Sequence, residues 1–276
     1  MTKVIFFGNE KLATGISSPE LHIQKAVIEL GFEIEQVVTG RLSELKPHEA
    51  KIAVLAAYGR IIPQSVLDEF PVGVINIHPS LLPQYRGTAP IEQAILDGVQ
   101  KTGVSIMRLT AGMDEGPIYK QKTLHLNNTE TKQELTNKLQ LLGAEMLKEI
   151  LPQIADGTLK PRSQPHPDRA TYTRKIDKTD GIIDWTKPAQ QIEREIRAFD
   201  GWPQSRTKLS DVDIIITKAS VVEIPTIQPG KILVEKDDLI IGTSKNCLKI
   251  QSLKPIGKKE MPVKAFLAGY RSKLIA

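Results

Sequence analysis

The sequence predicts an α/β protein in which a mostly parallel sheet is followed by a small, separate β-domain. In the first half of the chain, short apolar runs alternate with helical patterns, which is typical of a parallel sheet with crossover helices. After about Lys160 the pattern changes to closely spaced, short β-like runs, which favours a small barrel or sandwich. A chain of 276 residues has room for one large domain or two ordinary ones.

The predicted strands of the first sheet are short, apolar and bounded by turn residues, as strands buried on both faces should be. In chain order they are Val4–Phe7, Ile34–Val38, Ile52–Ala57, Val74–Ile77 and Gly103–Leu109. Between the first two strands, Ser18 is a suitable helix N-cap, Pro19 suits the first helical position and Gly31 suits the residue after the helix. These three residues predict a crossover helix.

A second helix is predicted to begin at a capping box formed by Thr131 and Glu134. Its apolar face consists of residues at helical spacing, namely Leu135, Leu139, Leu142, Met146 and Ile150. We expect Pro152 and Gly157 to end this helix, because neither residue favours its continuation.

The rest of the chain begins with a proline-rich stretch, which predicts an extended connector. Pro161, Pro165 and Pro167 lie within this stretch. One helical segment, Pro188–Ala198, is followed after Trp202-Pro203 by several β-like runs separated by turn residues. These runs are Ser205–Leu209, Val212–Thr217, Ser220–Ile224, Lys231–Glu235, Leu239–Gly242 and Cys247–Leu253.

Composition and motifs exclude several classes of protein. No apolar run approaches the roughly 20 residues of a membrane-spanning helix, and the amino terminus lacks the pattern of a signal peptide. The single cysteine, Cys247, fits a reducing compartment, so we expect a cytoplasmic protein. We also expect no membrane partner, and we expect a monomer. The turn at Gly8 lacks the other glycines of a dinucleotide-binding loop, and the five histidines lack metal-ligand spacing. Neither NAD nor a metal is therefore expected.

The positive charge of the chain is concentrated in its last quarter. The formal net charge is +5, but residues 206–276 contain 13 Lys and Arg against 7 Asp and Glu. The first 205 residues contain 24 basic and 25 acidic residues and are therefore close to neutral. A basic part beside a neutral body favours a polyanionic partner, nucleic acid first. The alternative is a lysine-rich domain whose charge serves only solubility.

Two polar residues interrupt the fourth predicted strand near its carboxyl end. Asn76 and His78 are two residues apart, so both project from the same face of a strand, and Pro79 ends that strand. Ligands of open α/β sheets bind at the carboxyl ends of the strands. The pair is therefore a candidate functional site, with a purely structural histidine as the alternative.

A glycine-rich loop provides the third candidate residue, Asp114. It lies between Gly112 and Gly116 on the loop that leaves a predicted strand, and its carboxylate can return to the end of the neighbouring strand. An ordinary turn aspartate is the alternative. Asn, His and Asp together suit acyl transfer without a covalent nucleophile. Asn and protonated His donate hydrogen bonds to an oxyanion, and His moves a proton from an attacking amine to a leaving nitrogen.

The stretch that contains Asn76 and His78 closely resembles the folate-dependent formyltransferase family. The resemblance is carried by Asn76, His78, Pro79, Ser80, Leu81, Leu82, Pro83, Arg86, Gly87, Pro90, residues 102–105 and residues 112–116. It implies that 10-formyltetrahydrofolate is the formyl donor, that Asn76 polarises the formyl carbonyl, that His78 is the acid and base, and that Asp114 supports proton transfer. It also implies donor-binding residues, namely Tyr58, Gly59, Ile61, Ile62, Pro63, Ser80, Leu81, Leu82, Pro83 and Gly112.

The later part of the chain is similar to the branch of that family that formylates methionyl-tRNA. The similarity is carried by residues 183–185, 191–193, 196–199, 202–203, 229–232, 257–261 and 266–269. It implies a Rossmann-like catalytic domain in residues 1–177, a linker with a short helix in residues 178–205, and an OB-like basic domain in residues 206–276. It further implies initiator methionyl-tRNA as the partner. The expected contacts to this substrate are Arg41, Tyr85, Arg86, Lys258 and Lys259.

The sequence departs from the family pattern in two places. The family usually has a long basic loop, then another strand and helix, where this chain has only residues 39–51. Thr110 replaces the family's usual aspartate four residues before Asp114, and Arg108 is atypical.

Two other functions stay open: folate-dependent formylation of a nucleotide sugar or another small amine, and tRNA or folate binding without catalysis. The basic last quarter favours tRNA over a free sugar nucleotide, and the intact Asn–His–Asp set favours catalysis.

Overall fold

The computed structural model describes residues 1–9, 21–224 and 227–274, and the chain divides into two compact units. The first unit comprises residues 1–91, 99–127 and 134–175, and the second comprises residues 92–98, 128–133 and 176–276. A mostly parallel sheet lies in the first unit and an antiparallel sheet in the second. The predicted α/β fold class with a second, all-antiparallel sheet is therefore confirmed.

The sheet of the first unit has six strands in the order β2-β1-β3-β4-β6-β7. These are β1 (Lys3–Phe7), β2 (Glu33–Val38), β3 (Ile52–Leu55), β4 (Gly73–His78), β6 (Lys101–Arg108) and β7 (Ile118–His125), with the two-residue strand β5 (Arg86–Gly87) outside this sheet. Strands β1 to β4 run parallel, whereas β6 is antiparallel to both β4 and β7. All six residues of β4 are buried, as a central strand covered on both faces requires.

The helices α1 (Leu21–Glu29), α2 (Gln64–Leu67), α3 (Pro90–Asp97) and α4 (Lys132–Ala155) follow these strands along the chain. Gly31 has a φ of +79°, as expected after a helix end, while Ser18 and Pro19 lie outside the described residues. The expectation that Pro152 ends α4 was wrong. Proline lacks only the backbone N–H, its ring is on the exposed side, and its carbonyl still accepts a hydrogen bond from the Asp156 N–H at 3.0 Å.

The proline-rich connector is a structured part of the first unit. Arg162 exchanges two backbone hydrogen bonds with Ile118, at 2.7 and 2.8 Å, and Pro167–Arg169 form a 3-10 turn. Strand β8 (Tyr172–Thr173) then pairs in parallel with β5. The proline pattern predicted the extended backbone but gave no sign of this pairing.

Residues 39–51 form a compact connection between β2 and β3, with one 3-10 turn at Leu42–Glu44. The Gln36 side chain exchanges hydrogen bonds of 2.9 and 3.0 Å with the backbone of Lys46. The Tyr58 hydroxyl donates to the Gly40 carbonyl at 2.9 Å. Side chains of the neighbouring sheet and loop therefore hold this short connection in place.

The sheet of the second unit has the strand order β11-β12-β13-β10-β9, with β14 paired to β13. Its elements are α5 (Ala189–Ala198), β9 (Ser205–Leu209), β10 (Val212–Val222), β11 (Ile232–Glu235), β12 (Asp238–Gly242), β13 (Cys247–Pro255), β14 (Met261–Pro262) and α6 (Val263–Leu274). Strand β10 is continuous where two runs were expected, because shifts in its register near Lys218 interrupt the pattern without ending the strand. Helix α6 was not predicted.

The core of the second unit lies between its sheet and its helices. Ile192 and Ile196 of α5 and Phe266 of α6 are buried with strand residues such as Ile214 and Leu253. A search of the described part of the chain found no helix with the length and apolarity needed to cross a membrane.

Candidate active site

The candidate site begins at the carboxyl end of β4, where two polar side chains are buried in an otherwise apolar strand. Asn76 is 6% exposed and His78 is 4% exposed. Their neighbours Ile75 and Ile77 are also buried. Buried polar groups need partners, so the partners of these two side chains define the site.

Asp114 returns from the loop after β6 to the end of β4, close to both polar side chains. Its Oδ1 lies 3.5 Å from Asn76 Nδ2, and its Oδ2 lies 3.7 Å from His78 Nδ1. The Gly87 N–H donates to Oδ2 at 2.8 Å. The structure therefore brings together the three residues that the sequence proposed as catalytic.

Both ring nitrogens of His78 face oxygen atoms. Nε2 lies 2.9 Å from the carbonyl oxygen of Tyr85, and Nδ1 faces the Asp114 carboxylate. A neutral imidazole has one N–H and can donate to only one of these oxygens, whereas the imidazolium donates to both. Each ring nitrogen of His78 therefore has an oxygen atom in a position to accept a hydrogen bond from it.

The backbone around Asp114 and Gly87 has little freedom. Asp114 has a φ of +48°, a left-handed conformation that costs energy for a residue with a side chain. Gly87 has a φ of +104°, and a Cβ there would lie 2.6 Å from the Thr173 carbonyl oxygen. A Cβ at Gly116 would overlap the Arg108 carbonyl oxygen. Two glycines are thus required for the close approach of the Asp114 loop and β5 to their neighbours.

Arg86 is buried in this region and forms a polar network. Its Nη1 donates to Glu115 Oε1 at 3.2 Å and to the Tyr172 hydroxyl at 2.9 Å. Its Nη2 donates to Gln164 Oε1 at 2.7 Å. Only 5% of Arg86 is exposed, so its guanidinium serves mainly to hold the site loops. The carbonyl of Tyr85 is turned towards His78, and its N–H donates to Thr171 Oγ1 at 2.8 Å.

Sequence reasoning missed the connector residues in this network, namely Gln164, Thr171, Tyr172 and Thr173. The Thr173 hydroxyl donates to the Arg86 carbonyl at 3.1 Å and accepts from the Ala89 N–H at 3.0 Å. Their only sequence signal is a group of polar residues after the prolines, which is also typical of an exposed loop.

Residues 80–83 lie in the loop that follows β4, and side chains of β6 and β7 hold this loop by hydrogen bonds. The Ser105 hydroxyl donates to the Ser80 carbonyl at 2.6 Å and accepts from the Leu82 N–H at 3.0 Å. Gln121 Nε2 donates to the Leu82 carbonyl at 2.8 Å. Ser80, Leu82 and Pro83 are buried, whereas Leu81 is half-buried. The loop is therefore rigid, and its side chains point largely inward.

The predicted donor-binding segment 58–63 alternates between buried and exposed residues. Tyr58 and Ile62 belong to the apolar core of the first unit, and burial raises the pKa of the Tyr58 hydroxyl. Gly59 and Pro63 are exposed, and Ile61 is 81% exposed. The predicted residue Gly112 lies half-buried on the Asp114 loop.

A cavity of about 440 Å³ lies at the amino end of β4, where Gly73 and Val74 line it together with Gln64, the residue that follows this segment. Its apolar lining includes Leu67, Phe70, Val74 and Leu109. Polar groups are supplied by Gln64, Asp68, Arg108 and Thr110, two of which are the departures noted in the sequence. The lining thus combines polar and apolar groups in similar measure.

The remaining predicted contacts to the acceptor lie at the surface. Arg41 is exposed on the short connection between β2 and β3, and its backbone N–H donates to Glu44 Oε1 at 3.0 Å. Lys258 and Lys259 are exposed on the turn between β13 and β14 of the second unit. Within the described ranges, no three His, Cys, Asp or Glu side chains are arranged to hold a metal ion.

Comparison with known protein families assigns both units. Residues 21–151 match the formyl transferase family, and residues 175–271 match the formyl transferase C-terminal domain. The fold and the site thus define a two-part formyltransferase enzyme.

Individual relatives narrow this assignment. A methionyl-tRNA formyltransferase of Roseiflexus sp. (strain RS-1) is 37% identical over 263 residues, which cover 93% of this chain and 81% of that protein. The chain belongs to the methionyl-tRNA formyltransferase family.

Solved structures share the fold at lower sequence identity. HypX from Aquifex aeolicus, in complex with tetrahydrofolic acid, matches with a TM-score of 0.72 and 18% identity over 97% of this chain. This chain spans about half the length of that protein, since the match covers 47% of it. Methionyl-tRNA formyltransferase from Clostridium thermocellum matches with a TM-score of 0.62 and 18% identity, over 88% of this chain and all of that one.

Proposed function

We propose that this chain transfers the formyl group of 10-formyltetrahydrofolate to the α-amino group of methionyl-tRNA, in the cytoplasm and as a monomer. One observation carries the proposal: at the carboxyl end of β4, the Asp114 carboxylate lies 3.5 Å from Asn76 Nδ2 and 3.7 Å from His78 Nδ1. Membership of the methionyl-tRNA formyltransferase family supports the same substrates. We assign catalysis to residues 1–177, a linker to 178–205 and an OB-like tRNA-binding domain to 206–276.

In this proposal the three site residues divide the work of acyl transfer. When the amine attacks the formyl carbon, the formyl oxygen gains negative charge and accepts hydrogen bonds from Asn76 Nδ2 and from His78 Nε2, which exchanges the Tyr85 carbonyl for this oxygen. The attacking amine must lose a proton and the leaving nitrogen must gain one. His78 carries this proton, and the Asp114 carboxylate orients the ring and supports its positive charge.

The donor supplies the activated formyl group and its leaving nitrogen, and the first unit offers residues that fit it. The cavity next to Leu67 and Val74 has the size and the mixed lining that a pteridine ring needs. Residues 58–63 and 80–83 are proposed to border the donor between this cavity and His78. Gly112 then allows the Asp114 loop to approach it.

The acceptor side of the proposal rests on charge. Residues 206–276, which lie within the second unit, carry the basic excess of the sequence, and Lys258 and Lys259 are exposed there. Exposed lysines contact phosphates, and an OB-like sheet is a common platform for nucleic acid. Arg41 and Tyr85 are proposed to contact the acceptor end.

One assay separates this proposal from its alternatives. Purified protein is incubated with 10-formyltetrahydrofolate and, in turn, initiator methionyl-tRNA, elongator methionyl-tRNA and an amino-sugar nucleotide. Formylation of the initiator is the expected result. Transfer to the amino-sugar nucleotide with neither tRNA formylated would instead favour the small-amine enzyme, and binding without any transfer would favour a non-catalytic role.

A further inference from the structure

Gln164 links the Asp114 loop to the segment that follows β4. Its side chain lies in the connector and the residue is 7% exposed. Nε2 donates to the Asp114 carbonyl at 2.6 Å and to the Gly116 carbonyl at 2.9 Å. Oε1 accepts from Arg86 Nη2 at 2.7 Å and from Arg86 Nε at 3.3 Å. The amide thus uses both of its hydrogens and both of its lone pairs.

The Asp114 loop needs such support because its backbone is strained. A non-glycine residue with a φ of +48° persists only where its surroundings hold it. The Gly87 N–H holds the carboxylate of Asp114, and Gln164 holds its main chain. Arg86, which precedes Gly87 directly, donates to Gln164 as well. Gln164 therefore contacts both the Asp114 loop and the segment whose N–H holds the Asp114 carboxylate.

We propose that Gln164 is a positioning residue for formyl transfer, which keeps the Asp114 carboxylate in register with His78 and Asn76. This inference rests on the proposed function. Gln164 acts through the Asp114 and Gly116 carbonyls and through Arg86, not through contact with the reacting atoms. Its loss therefore lowers the rate of the chemical step more than the binding of either substrate.

Two substitutions of similar size separate its donor and acceptor functions. Gln164→Glu keeps an acceptor for Arg86 but removes the hydrogens given to the two carbonyls, and Gln164→Met removes both functions. Gln153→Glu is the matched control, since Gln153 is exposed on α4 and its side chain donates to the Glu149 carbonyl of the same helix.

The first measurement is steady-state formylation of methionyl-tRNA. We expect kcat to fall about 10- to 100-fold for both Gln164 variants, as a displacement near 1 Å at a reacting group does. KM for the donor and for the tRNA should stay within about threefold of the parent, because the binding surfaces are unchanged. The Gln153 variant should match the parent in all three constants. A Gln164→Glu enzyme with the parent's kcat would overturn the proposal.

The second measurement does not need activity. The ring nitrogen and carbon NMR shifts of His78 report the position of the Asp114 carboxylate, so they should change in Gln164→Glu and stay constant in Gln153→Glu. If the parent protein transfers no formyl group, the proposed function fails while this measurement still tests the positioning role. Unmoved His78 shifts, a kcat that falls only with the folded fraction, or failure of both Gln164 variants to fold would each assign Gln164 a structural role instead.

Discussion

The end of β4 in the first unit and the β13–β14 turn in the second unit are built in opposite ways. At the end of β4, His78 and Asn76 are buried, and hydrogen bonds from four separate segments hold their surroundings. On the turn, Lys258 and Lys259 extend from an exposed loop whose backbone is closed by the Lys258 N–H to Pro255 carbonyl bond. One region depends on geometry and the other on charge.

This difference teaches how each region should respond to substitution. A buried, hydrogen-bonded group acts from one position, so its removal changes the rate by orders of magnitude. An exposed charge acts over a distance of about 8–10 Å in ordinary salt. Neighbouring charges therefore contribute to the same attraction, and the loss of one residue changes the binding free energy only slightly. Substitutions in the two regions therefore test whether the chain divides catalysis and tRNA binding in this way.

The largest expected effect is that of His78→Ala. In the proposed mechanism, removal of the ring takes away the group that carries the proton and one donor to the formyl oxygen, so kcat should fall about 10²- to 10⁴-fold. Formylation of methionyl-tRNA under saturating donor is the measurement. His125→Ala is the control, because His125 is exposed at the end of β7. A His78→Ala enzyme with the parent's rate would refute the catalytic assignment.

The next effect is on stability, and it contrasts glycines of the two units. A Cβ at Gly116 would overlap the Arg108 carbonyl oxygen, whereas a Cβ at Gly269 in α6 would meet nothing within 4 Å. Gly116→Ala should therefore cost about 1–3 kcal/mol of unfolding free energy and also displace the Asp114 loop. Gly269→Ala should add about 0.5–1 kcal/mol, because alanine favours the helix.

Urea unfolding measures both changes, with activity recorded beside it. Equal effects of the two alanines would show that the Asp114 loop has more room than its close contacts imply. A Gly116→Ala protein that loses stability but keeps the parent's kcat would separate the loop from catalysis.

The residues of the site differ in how far the sequence could predict them. The strand end that contains Asn76 and His78 and the glycine-rich loop that contains Asp114 are local patterns, which can be recognised from the sequence. Gln164 lies 50 residues beyond Asp114, and its contact with that loop arises only when the connector folds back. Likewise, the sequence predicts Arg86 as a contact to the acceptor, whereas its burial, which depends on partners from the connector, leaves no sign in the sequence.

The same reasoning applies to the fold. Apolar runs predicted the strands of both sheets, because burial on both faces or alternate faces leaves a regular pattern. The pattern did not predict β7, whose residues are mostly half-buried or exposed, nor α6, whose apolar residues are interrupted by Gly269. Pairing of β8 with β5 involves two residues on each side, too few to form any pattern.

A smaller effect is expected from removing charge on the β13–β14 turn. Lys258→Gln and Lys259→Gln should each make the slope of log affinity for tRNA against log salt less steep by roughly 0.7–0.9. Each substitution should therefore weaken tRNA binding more at low salt than at high salt. The ratio of parent affinity to variant affinity should be about fivefold larger at 0.15 M salt than at 1 M salt. Filter binding across a salt series is the measurement, with Lys25→Gln on α1, in the near-neutral first 205 residues, as control. A slope that neither turn substitution alters would place the tRNA elsewhere.

The smallest effect is expected at Tyr58, which ties the shortened connection between β2 and β3 to the first unit. Tyr58→Phe removes the hydrogen bond to the Gly40 carbonyl and should cost about 0.5–1.5 kcal/mol near neutral pH. Burial raises the pKa of the Tyr58 hydroxyl in the folded protein above its ordinary value of 10.0. Above pH 10 the unfolded chain therefore loses this proton first, which destabilises the parent but not the phenylalanine variant.

The difference in unfolding free energy between the parent and Tyr58→Phe should accordingly shrink as the pH rises above 10, and denaturant titrations at pH 8 and at alkaline pH measure it. Tyr119 is half-buried, and burial raises its pKa as well, so it contributes equally to both proteins and cancels in the comparison. A gap that widens with pH would mean that Tyr58 ionises more readily in the folded state. The hydroxyl would then face solvent or a cation, and the connection between β2 and β3 would be held by Gln36 without it.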